Sequence, residues 1–355
     1  MLRRWVRGSG PAIIITDTGA LMGDVVRSSR GPALTSLLWA IHNDGAQLVL
    51  PRHVVDEVEG RLQRRVTQTD DLDLAFRRLR TLYLPYATVI DEIPGHWGAG
   101  DVRVLTLAAR DPSDLPAARL AVALGCAYLF AEDPDLCDSP GLGVSEWLPI
   151  AHAAANDAEV TMASVGVGLP LTVTTESIRA AWRGVSKTQR EVQLVVVGVV
   201  VLLAFWFIAS GRARRTYEGS RPVARNLVDA LGPPLKEISE RRSVGREVFA
   251  RTLVSPSAQR CIGEVIANVL ATESTIEEPM LAADVARSID GCGNLKQRTQ
   301  AVRAELRAYP DTFVEVTRGR FMLGRPSGYP RADLDRTEVL DFLRRSHPRS
   351  ASSTQ

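Results

Sequence analysis

Short apolar runs alternate with helical patterns along the first 150 residues of the chain. The apolar runs that predict strands are Ile13–Ile15, Gln47–Leu50, Tyr83–Ile90 and Ala127–Ala131. The segments with helical spacing are Leu34–His42, Val54–Phe76, Asp101–Ala109 and Leu115–Leu124. Strands that alternate with helices predict an α/β domain, built on a parallel sheet with helices on both faces.

A long apolar stretch follows this domain. Val192–Ser210 has 19 residues without a charged side chain, close to the roughly 20 residues that cross a bilayer. A soluble helix of this length normally carries a polar stripe, so a buried core helix is the weaker alternative. The stretch predicts a single-pass membrane protein, expected in a bacterial inner membrane. Basic residues flank both ends and leave the orientation open, with a slight excess favouring a cytoplasmic C-terminal side.

Beyond a polar linker, the pattern becomes helical again and then alternates. Helices are predicted over Ala258–Thr272, Met280–Ile289 and Leu295–Ala308, and a hairpin is predicted over Phe313–Leu323 with a turn at Arg318-Gly319. Three helices followed by a hairpin resemble a winged helix-turn-helix domain. That resemblance implies a module that binds nucleic acid or a protein partner.

These patterns divide the 355 residues into about two folded domains with connecting segments. The predicted division is a basic arm at 1–11, an α/β domain at 12–175, a transmembrane helix at 192–210, a linker at 211–257, a winged-helix-like domain at 258–325 and a partly disordered tail at 326–355.

Composition narrows the class of protein but does not identify it. With 45% hydrophobic and 24% charged residues, the chain is neither wholly disordered nor a polytopic membrane protein. The four cysteines stand far apart without a metal-binding spacing, so neither a zinc site nor a disulfide framework is predicted. Net charge is −4 before residue 211 and +6 after it. Almost all basic residues are Arg, which we attribute to genome composition rather than to nucleic-acid binding.

Acidic residues stand where the predicted strands end. Asp17 follows the first strand, Glu57 lies six residues after Pro51, and Asp111 and Asp114 precede a helix. Asp133 and Asp135 follow the last strand. The carboxyl ends of parallel strands converge on one edge of a sheet, so these carboxylates are expected to meet there.

Clustered carboxylates repel one another, and a hard divalent cation removes that repulsion. Mg²⁺ or Mn²⁺ held in this way activates water for attack on a phosphodiester bond. Each residue also has a structural alternative, since Asp17, Asp111, Asp114 and Asp133 are placed to cap helices and Glu57 to lie on a solvated helix face.

Three segments resemble the PIN domains, which are mostly Mg²⁺-dependent ribonucleases and include the toxins of many bacterial toxin–antitoxin pairs. The segments are IIITDTGAL, LPRHVVDEVEGRL and RDPSDLPAARLAVALGCAYLFAEDPDL, within about residues 12–150. The resemblance implies catalytic roles for Asp17, Glu57, Asp114 and Asp133. It implies Mg²⁺ or Mn²⁺ ligation by Asp17, Asp114 and Asp133, with Asp111 and Asp135 beside them.

Two positions depart from the family pattern. Gly19 stands where the family often has Asn or Ser, and Ala131 stands where it often has Thr or Ser. Such side chains usually support the metal ligands, so their absence bears on activity more than on fold.

The predicted third helix of the C-terminal domain and its hairpin carry basic residues suited to phosphates. They are Lys296, Arg298, Arg303, Arg307, Arg318 and Arg320. Glu305 and Glu315 interrupt this set, and protein binding is the alternative role.

The sequence as a whole predicts a membrane-anchored, metal-dependent endoribonuclease whose nuclease domain is cytoplasmic. One alternative is a catalytically silent scaffold that binds RNA, DNA or protein at the membrane. Another is a soluble toxin in which the Val192 helix packs in a homodimer interface. A single span would place the nuclease domain and the C-terminal domain on opposite sides of the membrane, although both are expected inside the cell. A second span at Val160–Val173 would place them on the same side, but we expect that segment to form the last strands of the sheet.

Overall fold

The computed structural model describes residues 11–31, 34–65, 70–139, 141–155, 253–274, 278–289, 294–329 and 336–346. All of them belong to one compact unit, which contains both the N-terminal and the C-terminal parts of the chain. The basic arm, the apolar stretches at 160–173 and 192–210 and nearly all of the linker lie outside the described residues. None of the helices in the described ranges has both the length and the apolar character of a membrane span.

Most strands and helices form close to the predicted positions, but the helix Thr18–Arg30 was not predicted, and the strand predicted from Tyr83 begins at Ala87. The strands are β1 Ala12–Thr16, β2 Ala46–Pro51, β3 Ala87–Ile90, β4 Ala127–Phe130, β5 Gly143–Val144, β6 Met280–Leu281, β7 Phe313–Thr317, β8 Arg320–Leu323 and β9 Arg325–Pro326. The helices are α1 Thr18–Arg30, α2 Ser36–His42, α3 Arg52–Arg65, α4 Asp70–Arg78, α5 Val102–Arg110, α6 Leu115–Leu124, α7 Pro134–Cys137, α8 Ile262–Glu273, α9 Ala282–Ser288, α10 Leu295–Ala308 and α11 Arg336–Ser346.

The central sheet confirms the predicted α/β class. Its order is β5-β4-β1-β2-β3-β9, in which β1 to β5 run parallel and β9 lies antiparallel to β3. The chain builds outward from β1 through β2 to β3 and then returns to place β4 on the other side of β1. The carboxyl ends of β1 and β4 therefore flank a topological switch point, where open α/β sheets bind ligands.

Alternate residues of the strands enter two hydrophobic cores, one on each face of the sheet. Ile13 and Ile15 pack with α6 and the C-terminal helices. Ile14 packs on the other face, with α1, α2 and α3. Because both faces are buried, the strands are continuous apolar runs without polar alternation.

The C-terminal part is built onto the sheet. A single residue, Gly324, separates β8 from β9. The chain therefore passes directly from the small β6-β8-β7 sheet into the central sheet. In addition, the amide of Gly98 donates a 2.6 Å hydrogen bond to the buried Glu264 on α8, and the Thr312 hydroxyl donates a 2.6 Å bond to the carbonyl of Glu92. The described N- and C-terminal parts therefore share one core and one sheet.

The predicted tail contains a helix that returns to the N-terminal part. On α11, Phe342 stacks on Trp39 with 4.9 Å between ring centroids, and Glu338 binds Arg78 at 2.8 Å. Sequence patterns missed this helix because it is short and is rich in charged residues. Its stability comes from burying Phe342 against a residue 303 positions earlier in the chain, which local periodicity does not reveal.

Candidate metal centre

Acidic side chains gather at the carboxyl edge of the sheet, beside the switch point. β1 ends at Thr16 and delivers Asp17, while β4 ends at Phe130 and is followed by Asp133 at the start of α7. Asp111 and Asp114 come from the short connection between α5 and α6. The fold therefore brings together carboxylates that are more than 100 positions apart in sequence.

Asp17 is a buried residue whose two carboxylate oxygens are already bonded. One oxygen accepts the amide of Ala20 at 2.6 Å and so caps α1. The other accepts the amides of Glu132 and Asp133 at 2.8 and 3.1 Å. Burial raises the pKa of Asp17 despite these three bonds. Asp17 thus fixes the loop that carries Asp133.

Asp111 and Asp133 are oriented by the turns that they cap. Asp111 accepts the Ser113 hydroxyl at 2.5 Å and the Ser113 amide at 2.8 Å, and these bonds lower its pKa. Asp133 accepts the amide of Asp135 at 2.8 Å. The capping alternative is therefore correct for Asp17, Asp111 and Asp133, but in each case a local turn also fixes where the carboxylate lies.

Asp114 differs from its neighbours. It occupies the cap position of α6, but its side chain makes no capping hydrogen bond. Burial raises its pKa to about 6, and the charges of Asp111, Asp133, Asp17 and Glu57 act in the same direction. Ionising the Asp114 carboxylate therefore costs free energy in the folded protein, and no capping hydrogen bond offsets that cost.

Asp111, Asp114 and Asp133 form the acidic triad. Each offers one carboxylate oxygen, and these three atoms lie within 4.8 Å of one another. Oxygens on opposite sides of a Mg²⁺ ion at its usual bond length are about 4.2 Å apart, so three oxygens within 4.8 Å of one another reach one cation after small side-chain shifts or through bound water. A set made only of partly exposed carboxylate oxygens suits Mg²⁺ or Mn²⁺. The triad thus fits a hard divalent cation.

Glu57 faces the centre from α3 but is held by other partners. The Thr18 hydroxyl donates to its Oε2 at 2.6 Å, and Arg61 binds its Oε1. The Thr18 bond, assisted by Arg61, lowers the pKa of Glu57. Glu57 contributes negative charge to Asp114, but it is not among the three residues whose oxygens converge.

Asp135 and Asp17 also stand outside the triad. The Asp135 carboxylate lies 4.0 Å from Arg110 on α5, whereas its amide supports Asp133. Of the predicted metal ligands, the structure therefore brings three together and gives the other two supporting contacts.

Sequence analysis did not identify two residues that lie near the metal centre. Thr18 holds Glu57, as described above. Glu132 places its carboxylate over α1, where an added Cβ at Gly19 would lie 3.0 Å from the Glu132 Cβ and one at Gly23 would lie 2.8 Å from its Oε1. Burial raises the pKa of Glu132. The available signal was the spacing of Gly19 and Gly23 by four residues, which leaves one side of a helix without side chains at these positions.

The departures from the PIN pattern have local explanations. Gly19 leaves the space that Glu132 fills. Ala131 is buried in the core with α6, and a hydroxyl there would need a partner. Neither position supplies a polar group to the triad.

The predicted nucleic-acid residues of α10 and the β7–β8 turn fall into two groups. Lys296, Arg303, Arg307, Arg318 and Arg320 are exposed. Arg298 instead turns toward the protein, because its Nη1 donates to the carbonyl of Ile289 at 2.7 Å and its Nε is buried. Arg298 is thus placed to hold α9 against α10.

Comparison with known proteins gives no family assignment: no family model, no curated protein and no solved structure matches the chain.

Proposed function

We propose that this protein is a metal-dependent endoribonuclease whose active centre is the acidic triad. The observation that carries the proposal is the convergence of three carboxylate oxygens within 4.8 Å at the switch point of the sheet. Asp114 adds support, because burial and the neighbouring carboxylates raise its pKa to about 6, and a bound divalent cation would offset this cost of ionising it. RNA as the substrate rests on the resemblance of three segments to PIN domains.

In this proposal the acidic residues of the centre have different roles. Asp111, Asp114 and Asp133 hold Mg²⁺ or Mn²⁺, which when bound supplies a Lewis acid and a water of lowered pKa. Asp17 positions Asp133 through the loop amides. Glu57 has a lowered pKa and is therefore a weak base, so we assign it to the charge of the centre rather than to proton abstraction. No side chain acts as a nucleophile.

The test is RNA cleavage by the full chain purified in detergent. The full chain is needed because the described N- and C-terminal parts share one core. End-labelled single-stranded RNA is incubated with Mg²⁺, Mn²⁺ or EDTA. We expect cleavage only with the metals, and a loss of at least about 100-fold in Asp114→Asn, as expected when a group that stabilises the transition state is removed.

Asp138→Asn is the matched control. Asp138 is exposed at the other end of α7 from Asp133 and is not one of the triad residues, so this variant is expected to cleave like the wild type. Metal-independent cleavage, or equal activity in Asp114→Asn and Asp138→Asn, would contradict the proposed centre.

A silent scaffold is the second candidate, and the absence of polar side chains at Gly19 and Ala131 favours it. The same assay separates the two candidates. A folded chain that binds Mn²⁺ but cleaves none of several RNAs would assign the centre to metal binding without hydrolysis.

Membrane attachment is a further part of the proposal. It rests on the uncharged stretch Val192–Ser210, which lies outside the described residues. Detergent-dependent extraction of the full chain from membranes is the expected result, and release by salt alone would exclude a span.

A further inference from the structure

The strongest charged surface outside the metal centre lies on α10 and the β7–β8 turn. Lys296, Arg303 and Arg307 are spaced by seven and four residues, which places them on one side of the helix. Arg318 and Arg320 are two more exposed cations, at the β7–β8 turn that follows α10 in the chain. These five exposed residues are called the basic face.

The cations of the basic face are largely unneutralised. Among the described residues, Lys296, Arg303, Arg307 and Arg318 form no ion pair, and Arg320 donates only to the carbonyl of Pro279 at 3.1 Å. Surface arginines elsewhere in the described chain form ion pairs, as Arg77 does with Asp73 and Arg287 with Asp284. Free cations on one side of a helix favour a polyanionic partner.

The two acidic residues that interrupt the sequence pattern offset only part of the positive charge of this surface. Glu305 turns inward: an added Cβ at Gly263 on α8 would lie 2.5 Å from its Oε1. The carboxylate of Glu315 accepts the amide of Gly319 inside the turn. Both are therefore engaged by the protein itself.

The basic face also lacks the groups that bind single strands. Single-strand sites stack bases on exposed aromatic rings. In the described part of α10 and the hairpin, Phe313 and Phe321 are buried and Tyr309 is half-buried beside His96. Contacts to a double-stranded segment through its phosphates need cations alone.

The basic face is fixed to the sheet edge that bears the metal centre. Its hairpin continues through Gly324 into β9, which pairs with β3, and Arg325 holds Asp91 at the carboxyl end of β3 together with Arg52. At about 4.8 Å per strand, β3 lies about 10 Å from β1, the strand that leads to Asp17. No linker separates the two functional surfaces.

We propose that the basic face binds a double-stranded segment of the RNA substrate through its phosphates, so that the metal centre cuts the adjoining single strand at a fixed distance from the stem. The predicted cut rests on the proposed ribonuclease function, whereas the predicted RNA binding does not.

Binding is tested in EDTA, where a metal-dependent nuclease is silent. A fluorescent RNA stem-loop is titrated with the full chain in detergent, and the anisotropy is measured at several salt concentrations. The test variant is Lys296→Gln/Arg303→Gln/Arg307→Gln. The control variant Arg30→Gln/Arg77→Gln/Arg287→Gln removes the same charge from cations that are paired with Asp71, Asp73 and Asp284.

The test variant is expected to bind the stem-loop about 10- to 100-fold more weakly at about 0.1 M salt, with the salt slope reduced by about 2 to 3, whereas the control binds like the wild type. Equal binding by the two variants would overturn the proposal. The absence of RNA binding by the wild type would overturn it as well.

The position of the cut tests the link to the metal centre. Moving the stem by two or four nucleotides within a longer RNA is expected to move the cut by the same number. A cut that stays at its original sequence would overturn the fixed distance. A chain that binds the stem but never cuts would disprove the nuclease and leave the binding surface in place.

Discussion

Single carboxylates decide the chemistry of the metal centre. Asp17, Asp111 and Asp133 each satisfy backbone or hydroxyl donors, so their positions are explained by local structure. Asp114 makes no capping bond and lies among like charges. Keeping such a group destabilises a protein in the absence of its ligand, a trade-off that is common in functional sites.

The stability of the metal-free protein is therefore expected to depend on Asp114. Its pKa is about 6 in the folded protein and near 3.8 when unfolded, so the folded state binds the proton more tightly. Stability contributed by the protonated group is complete below about pH 4 and is lost as the pH rises through about 6. A cation is expected to restore it only where Asp114 is ionised.

Thermal unfolding followed by tryptophan fluorescence tests this prediction. Asp114→Asn is expected to raise the metal-free Tm at pH 7 by about 2–4 °C, since partial exposure reduces the gain to about 1 kcal/mol. Mn²⁺ is expected to raise the wild-type Tm at pH 7 but not at about pH 4.5, where Asp114 is largely protonated. A lower Tm in Asp114→Asn would show that the carboxylate stabilises the apo fold.

At the scale of elements, the junction of β8 and β9 joins the C-terminal part to the sheet. Gly324 has φ +63°, and a Cβ there would lie 2.6 Å from the Val89 carbonyl oxygen and 2.9 Å from the Thr88 side chain. Backbone atoms of β3 have little freedom to move away. A side chain at this position therefore opposes the pairing of β9 with β3.

Gly324→Ala is expected to lower the free energy of unfolding by about 2–4 kcal/mol, combining left-handed strain with the clash. Gly319→Ala is the control, because Gly319 has φ +75° but nothing within 4 Å of an added Cβ; strain alone predicts a loss of about 1 kcal/mol. Chemical unfolding measures both. Equal losses would mean that the junction tolerates a side chain.

Sequence patterns predicted the parallel sheet well, because strands buried on both faces are continuous apolar runs such as Ile13–Ile15. They predicted Asp114 and Asp133 as ligands and placed Asp111 beside them, but they also expected Asp17, whose oxygens are bonded to backbone amides.

The sequence patterns missed α1, in which Gly19 and Gly23 lower the helix propensity. They also missed β9 and α11, whose partners β3 and Trp39 are more than 200 positions away. Thr18 and Glu132 were missed as well. The Thr18 hydroxyl meets Glu57, and Glu132 fills the space beside Gly19 and Gly23, only in the folded structure.

At the scale of the whole molecule, the shared core has a topological consequence. Residues on both sides of Val192–Ser210 pack in one hydrophobic cluster and one sheet. They must therefore face the same compartment. A single crossing between them would place them on opposite sides of the membrane, so the proposed attachment requires either an even number of crossings between the two parts or attachment without a crossing.

Side-specific labelling tests this consequence in a background lacking the four native cysteines. Gln63→Cys on α3 and Gln300→Cys on α10 both occupy exposed positions. A membrane-impermeant maleimide is expected to label both or neither in intact cells, and both after lysis. Labelling of only one in intact cells would contradict the shared core.

The central claim is that three carboxylates from two segments of the chain hold one divalent cation. The most direct measurement is Mn²⁺ binding to the full chain at pH 7, followed by electron paramagnetic resonance of the free ion. The account predicts one tight site in the wild type and in Asp138→Asn, weakened at least about 10-fold in Asp114→Asn. Equal Mn²⁺ affinity in all three proteins would contradict it.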